Sequence, residues 1–261
     1  MTKRNITQKT KGRQPSVKVG DYFTSAQGDA VRVIEYISSE KVLIEYQDEY
    51  EYKTYVTAGN LKKGSFKNPY RPNIYGVGFF GVGEFRGFED GRPTPEYDAW
   101  HSMMSRCYNK QVHKTHPSYA DCFVDERWHN FQVFAEWYTS HEHYGLDYHL
   151  DKDLLVAGNK VYSPETCSLV PVQINNLIGE NQRNKGSYPA GVSYHKAKKK
   201  YTAAVGHDGK KIYIGAYNCP VEARKAYLEV KKRLVREKAL EWKGKIRRDI
   251  FNALMNWTAE I

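Results

Sequence analysis

The chain has 261 residues, room for one large domain or two to three small ones, and its 40% hydrophobic and 14% aromatic content excludes a wholly disordered polypeptide. A formal charge of +10 favours a polyanionic partner, nucleic acid first. No run of about 18 apolar residues and no secretory leader is recognisable, so no membrane span is expected.

Cys107, Cys122, Cys167 and Cys219 lack zinc-knuckle spacing and read as free, mostly buried thiols in a reducing cytoplasm. The 21 tyrosines, beside few leucines, suggest small strand-rich modules rather than one large helical core.

Residues 1–15 carry Lys3, Arg4, Lys9, Lys11 and Arg13 with almost nothing apolar, and read as a flexible basic arm. From Val17 the hydrophobic period becomes two. The stretches VKVGDYF, AVRVIEYI, KVLIEYQ and YEYKTYV are short strands broken by QGD, SSE and QDE. Over residues 16–66 they predict a small SH3-like antiparallel β-barrel. Residues 67–95 are rich in glycine and proline and read as a linker. Within them GVGFFGVGEF lacks the Gly-Lys-Ser/Thr of a phosphate loop. Its glycines suit a backbone that passes close to another element.

Residues 96–184 form a middle block. Tyr97, Trp100, Met104, Cys107 and Tyr108 recur at helical spacing, as do Trp128, Phe131, Ala135 and Tyr138 behind Asp125 as an N-cap. Both stripes read as core. His113, His116, His141, His143 and His149 invite a zinc site, but no pair has the regular helix spacing of one, and no structural zinc is expected. The stretch HLDKDLLVAGNKVYSPETC then runs from a strand end through a turn at Gly158 and Asn159 towards an amphipathic segment ending Ile174-Asn175-Asn176. His149 and Asp151 are two apart on that strand and share a face, which Asp153 joins.

Residues 188–234 carry three strands, AGVSYHK, KKYTAAVG and KKIYIGAY, with a tight Asp208-Gly209 turn. A helix, VEARKAYLEVKKRL, follows Pro220 at its first position. Ala223, Ala226, Tyr227, Val230 and Leu234 form its apolar stripe, with Arg224, Lys231, Lys232 and Arg233 elsewhere. Alternation turns Val192, Tyr194, Ala203, Val205, Ile212 and Ile214 towards that stripe. It leaves Ser193, His195, Thr202, Ala204, Lys211 and Tyr213 on an open face. Lys196, Lys198, Lys199, Lys200 and Lys210 border this face, which suits a sheet inserted into the DNA major groove. Residues 235–261 read as a C-terminal helix whose stripe of Ile246, Ile250, Phe251, Leu254 and Trp257 packs back or forms a dimer face.

The pattern GVSYHK…KYTAAV…GKKIYIGAYNCPVEARKAY resembles the ethylene-response-factor (Apetala-two) DNA-binding domain over roughly 45 residues. That resemblance implies a three-stranded sheet on one helix, with double-stranded DNA as partner. It puts the DNA-contacting positions on Ser193, His195, Lys198, Ala204, Gly206, Lys211 and Tyr213. Only Lys198, Lys211 and Tyr213 keep a character comparable to the plant family, so its target sequence does not carry over. Fewer arginine forks imply more backbone contact and less base readout.

The middle block, with YDAWHSMMSRCYN, VDERWHNFQVFAEWY and LDKDLL…GNK…YSPETCSLVPVQIN, is similar over about 85 residues to phage and mobile-element HNH-like endonucleases, homing or nicking enzymes that end in such a domain. The resemblance implies an α+β, multi-domain chain with an HNH-like ββα core embedded in helices, in a bacterial or phage-infected cell. It puts the metal-binding positions on Asp151 and Asn175, the loop asparagine on Asn159, and Lys152 where the catalytic histidine belongs. A lysine is protonated near neutrality and repels a cation. His149 is the alternative base, with magnesium or manganese held by Asp151 and Asn175. Three readings stay open: a metal-dependent endonuclease, a DNA-binding protein with a retired nuclease fold, and a protein-interaction module.

Overall fold

The computed structural model describes residues 16–141, 144, 147–179 and 188–258. The basic arm at 1–15, His143 and the expected core residues 180–184 lie outside them. The chain divides into two units, Met1–Arg71 and Pro72–Ile261, both mixing strands and helices in an α+β architecture. Among the described residues no helix is long and apolar enough to cross a membrane.

The first unit is an antiparallel meander of β1 (Tyr22–Thr24), β2 (Ala30–Ser38), β3 (Lys41–Tyr46) and β4 (Lys53–Val56). Val31 and Val33 on β2 bury with Val42, Ile44 and Tyr46 on β3, as period-two alternation requires. Helix α1 (Ala58–Lys63) starts at the Thr57 N-cap, ends at Gly64 in a left-handed conformation, and adds Ala58 and Leu61 to this core.

The sheet order leaves β1 and β4 as edges, so the expected barrel does not close. Gly20 turns the chain at φ +93°, the first strand begins only at Tyr22, and its three residues are too few to reach round. Residues 67–71 are part of this module rather than linker. Arg71 pairs with Asp29 at 2.6 Å, and Tyr70 stacks on Tyr50 with ring centroids 4.4 Å apart.

In the second unit, β5 (Phe88–Glu89) and β6 (Arg92–Pro93) form a short hairpin, followed by α2 (Pro95–Tyr108) and α3 (Lys110–Thr115). The glycine-rich stretch before them is packed, not free. A Cβ at Gly78 would lie 2.8 Å from Met104 Cε, and one at Gly81 2.1 Å from Asn130 Oδ1. The close-approach expectation for these glycines therefore holds.

Strand β7 (Phe123–Val124) leads to a 3-10 turn, Glu126–His129, which Asp125 caps. The helix expected from Trp128 begins afresh as α4 (Phe131–Thr139), because the Asn130 side chain accepts from Gln132 N–H as a new N-cap. Trp100, Met103 and Met104 of α2 pack against Trp128, Phe131 and Phe134 in the first core of this unit.

Strand β8 (Tyr148–Asp151) follows, then β9 (Val161–Tyr162), which runs parallel to β7. Strand β10 (Ser168–Pro171) pairs antiparallel with β8, and α5 (Val172–Ile178) follows it directly. Alternation splits β10 between two cores: Leu169 enters the first, and Val170 enters a second with Ile174 and Leu177 of α5.

The C-terminal strands are β11 (Val192–His195), β12 (Lys200–His207) and β13 (Lys210–Tyr217), antiparallel in that order. Asp208 and Gly209 both take positive φ, the two-residue turn that a right-twisted hairpin favours. Helix α6 (Pro220–Glu241) covers one face, burying Ala203 and Val205 against Ala223, Tyr227 and Leu234.

Three details depart from the sequence reading. Tyr194 and Ile212 lie on the helix side but stay 40% and 37% exposed, while Ala203, on that same face between them, is buried. Arg224 and Lys231, expected off the apolar stripe, are buried. Helix α6 continues unbroken past residue 234, and the C-terminal helical run is interrupted around Gly244, at φ +80°, before α7 (Arg248–Met255). Ile250 and Leu254 of α7 pack back into the second core.

Gly191 is the tightest point of the C-terminal module. Its φ is +81°, and a Cβ there would lie 2.1 Å from the Tyr227 ring. Gly191→Ala combines overpacking with left-handed strain, for an expected loss of roughly 2–5 kcal/mol in urea unfolding. Gly206→Ala, with nothing within 4 Å of its Cβ, should stay within about 1 kcal/mol of wild type. Equal losses at both positions would contradict this packing.

Candidate nucleic-acid interface and cleft

The β8–β10 pair puts His149 opposite Val170 and Asp151 opposite Ser168, on the face that α5 covers. His149 and Asn175 meet there, with Nδ1 and Nδ2 3.2 Å apart. As placed, the amide N–H donates to Nδ1, and a neutral ring then carries its proton on Nε2. With the amide turned over, Oδ1 accepts from Nδ1–H, and Nε2 keeps a lone pair and can act as a base.

Asp151 Oδ1 accepts from the Asp153 and Leu154 N–H groups at 2.9 and 2.7 Å. Burial pushes this carboxyl above the usual carboxylate range, and the N–H donors oppose the shift.

Lys152 points into the protein. Its ammonium donates to Asp153 Oδ1 at 2.5 Å and to the Asn159 carbonyl at 2.6 Å, and lies 5.8 Å from the Tyr162 ring centre. The Asn159 amide closes the same loop, with Nδ2 donating to the Lys152 and Val161 carbonyls and Oδ1 accepting from Val161 N–H. These two side chains fasten the turn between β8 and β9. Asp153, expected to join His149 and Asp151, is instead the partner of Lys152.

Two clefts flank β8. One, of about 350 Å³, is lined by His149, Asp98 and Tyr138; the other, of about 520 Å³, by Asp151, Asn159 and Lys160. Arg106, Leu150 and Asn175 line both. Arg106 was missed in the sequence because it lies beside an apolar helical stripe. The available signal was a cation with no carboxylate three or four residues away on either side.

The open face of the C-terminal sheet carries Ser193, His195, Lys200, Thr202, Ala204, Lys211 and Tyr213, as the cross-strand partners show. Tyr213 is 60% exposed, and Lys196, Lys198, Lys199, Lys200, Lys210 and Lys211 are all exposed. Ser193 and Thr202 hydroxyls bond each other at 2.9 Å, and His195 Nδ1 accepts from Lys198 N–H across the hairpin turn.

A groove of about 930 Å³ connects this face to α5. Ala204, Gly206 and Lys211 line one side, and Gln173, Asn175 and Asn176 the other. Asn175 therefore borders the groove and both clefts. Gln173 and Asn176 are further residues that the sequence did not single out.

Among the described residues, no three of His, Cys, Asp and Glu converge as a metal-binding group. No protein-family model, curated protein or solved structure matches this chain.

The raised Asp151 pKa has a defined sign for stability. The native state holds the proton more tightly than the unfolded chain, and that contribution is lost as the pH rises through the native pKa. Asp151→Asn keeps an acceptor oxygen and removes the desolvated charge. It should raise the urea midpoint at neutral pH in EDTA, with the gain vanishing on acidification. A lower midpoint at neutral pH would contradict a buried carboxylate held at a cost.

Proposed function

We propose that this chain binds double-stranded DNA on the open face of its C-terminal sheet and hydrolyses a phosphodiester at the β8–α5 cleft. The observation that carries this reading is the position of Asn175. The residue touches His149 and borders both clefts and the groove that begins on the lysine-rich sheet. A strand lying across Ala204, Gly206 and Lys211 is thereby led to clefts that combine an imidazole, a desolvated carboxylate and an amide. The order strand, asparagine-bearing loop, strand, helix supports a likeness to HNH endonucleases, and the sheet on α6 supports one to the ethylene-response-factor domain.

The donors at the cleft suit a hard cation that keeps most of its water: one carboxylate, Asp151, and one amide oxygen, Asn175. The Lys152 ammonium, neutralised by Asp153 and turned into the protein, does not occupy that position. Asp151 and Asn175 would hold magnesium or manganese there, and the ion would supply charge stabilisation.

The chain's own residues do the rest. His149, its Nδ1–H held by Asn175, takes a proton from water through Nε2. The water oxygen forms a bond to phosphorus. The opposite P–O bond breaks, and its electron pair leaves with the departing oxygen, which takes a proton from solvent.

A second reading is favoured by Lys152. An ammonium tied into the loop replaces the histidine of an HNH site, which suits a protein that binds DNA without cutting it.

Supercoiled plasmid with magnesium separates the two. Cleavage predicts nicked or linear product, reduced at least about 100-fold in Asp151→Ala and Asn175→Ala. Intact plasmid with retained gel-shift binding leaves the binder. On the sheet, Lys198→Ala and Lys211→Ala should each lower the slope of log K against log salt by about 1. An unchanged slope in both removes the sheet from the interface.

A further inference from the structure

Arg106 stands in the last turn of α2, outside the β8–β10–α5 unit. The helix macrodipole accounts for a cation at that end. It leaves the donors unexplained. A guanidinium has five N–H groups, and among the described residues the Arg106 side chain has one hydrogen-bond acceptor, Tyr162 Oη at 3.3 Å. The Tyr162 ring centre is 5.9 Å away and forms a wall rather than a counter-ion.

The other cations of the larger cleft are matched: Lys152 with Asp153 at 2.5 Å and Lys160 with Asp121 at 3.0 Å. No carboxylate among the described residues pairs with Arg106. A half-buried fork with spare donors, facing two open clefts, is the arrangement that tetrahedral oxyanions fit. The clefts it joins hold His149 on one side and Asp151 on the other.

We propose that Arg106 is the phosphate-binding residue of this cleft, its guanidinium gripping the non-bridging oxygens of a nucleic-acid phosphodiester between His149 and Asp151. This deepens the proposed function and rests on it for the identity of the anion. It also assigns the grip to α2, a helix that the sheet module does not contain. Arg106→Gln should therefore weaken capture of a short phosphodiester.

The test uses the full chain in EDTA, so that phosphate capture is read without cleavage. The probes are dithymidine monophosphate and inorganic phosphate. The readout is the Arg106 Nε–Hε resonance, identified by its disappearance in Arg106→Lys. A saturable shift with the dinucleotide in the wild-type chain, with calorimetric affinity for the same dinucleotide about tenfold weaker in Arg106→Gln, supports the proposal.

No shift with the dinucleotide overturns it, whether or not plasmid is cut. A shift with inorganic phosphate alone also overturns it, in favour of a free-anion site. A shift without any plasmid cleavage upholds Arg106 as the phosphate ligand and removes the hydrolytic step. Should Arg106→Gln unfold, the wild-type resonance still decides.

Discussion

The Lys231 ammonium fixes the geometry on which the site depends. Its side chain is only 1% exposed, and Nζ donates to the Ile178 and Gly179 carbonyls at 3.1 and 3.2 Å. Those carbonyls close α5, where a helix leaves acceptors without partners and carries its negative dipole end. The Tyr227 and Trp257 ring centres lie 5.7 and 5.3 Å from the same nitrogen. A buried ammonium without such partners would be strongly disfavoured. Its demand for acceptors therefore ties α6 to the end of α5, while Ile174 and Leu177 share a core with Ala203 and Ala223. The groove between sheet and cleft exists because these two helices hold each other.

Charge in this protein has two separate uses. Lys152, Lys231 and Lys238 are buried and act as fasteners. Lys238 joins Asp208 of the β12–β13 turn at 3.3 Å to Glu241 of α6 at 2.9 Å. The lysines of the β11–β12 turn and of β13 are exposed and have no such fastening role. Net charge alone therefore overstates the cationic surface. The exposed lysines lie around one sheet face, and that placement rather than their number suits the proposed nucleic-acid partner.

Much of the fold was legible locally. Period two gave the strands of both small sheets, Asp208-Gly209 gave its turn, and the glycines near residue 80 announced close packing. What failed needed partners distant in sequence. Barrel closure depends on how far β1 and β4 reach. The break at Asn130 depends on an amide that caps α4 and lies against Gly81. Lys231 reads as a surface residue until the end of α5 is placed beside it. At the site, the spacing of His149 and Asp151 was enough to put them on one face, and Asn175, singled out by the resemblance to HNH-like endonucleases, lies against His149. Arg106 was hidden because only the tertiary fold brings α2 to β8.

The central claim is that one duplex occupies both the sheet and the groove that leads to Asn175. Photo-crosslinking from position 213 on the sheet and from position 176 on α5, to the same end-labelled duplex, tests it most directly. The account predicts adducts from both positions, separated by a constant number of base pairs. Adducts from position 213 with none from position 176, on any duplex that the chain binds, would contradict it.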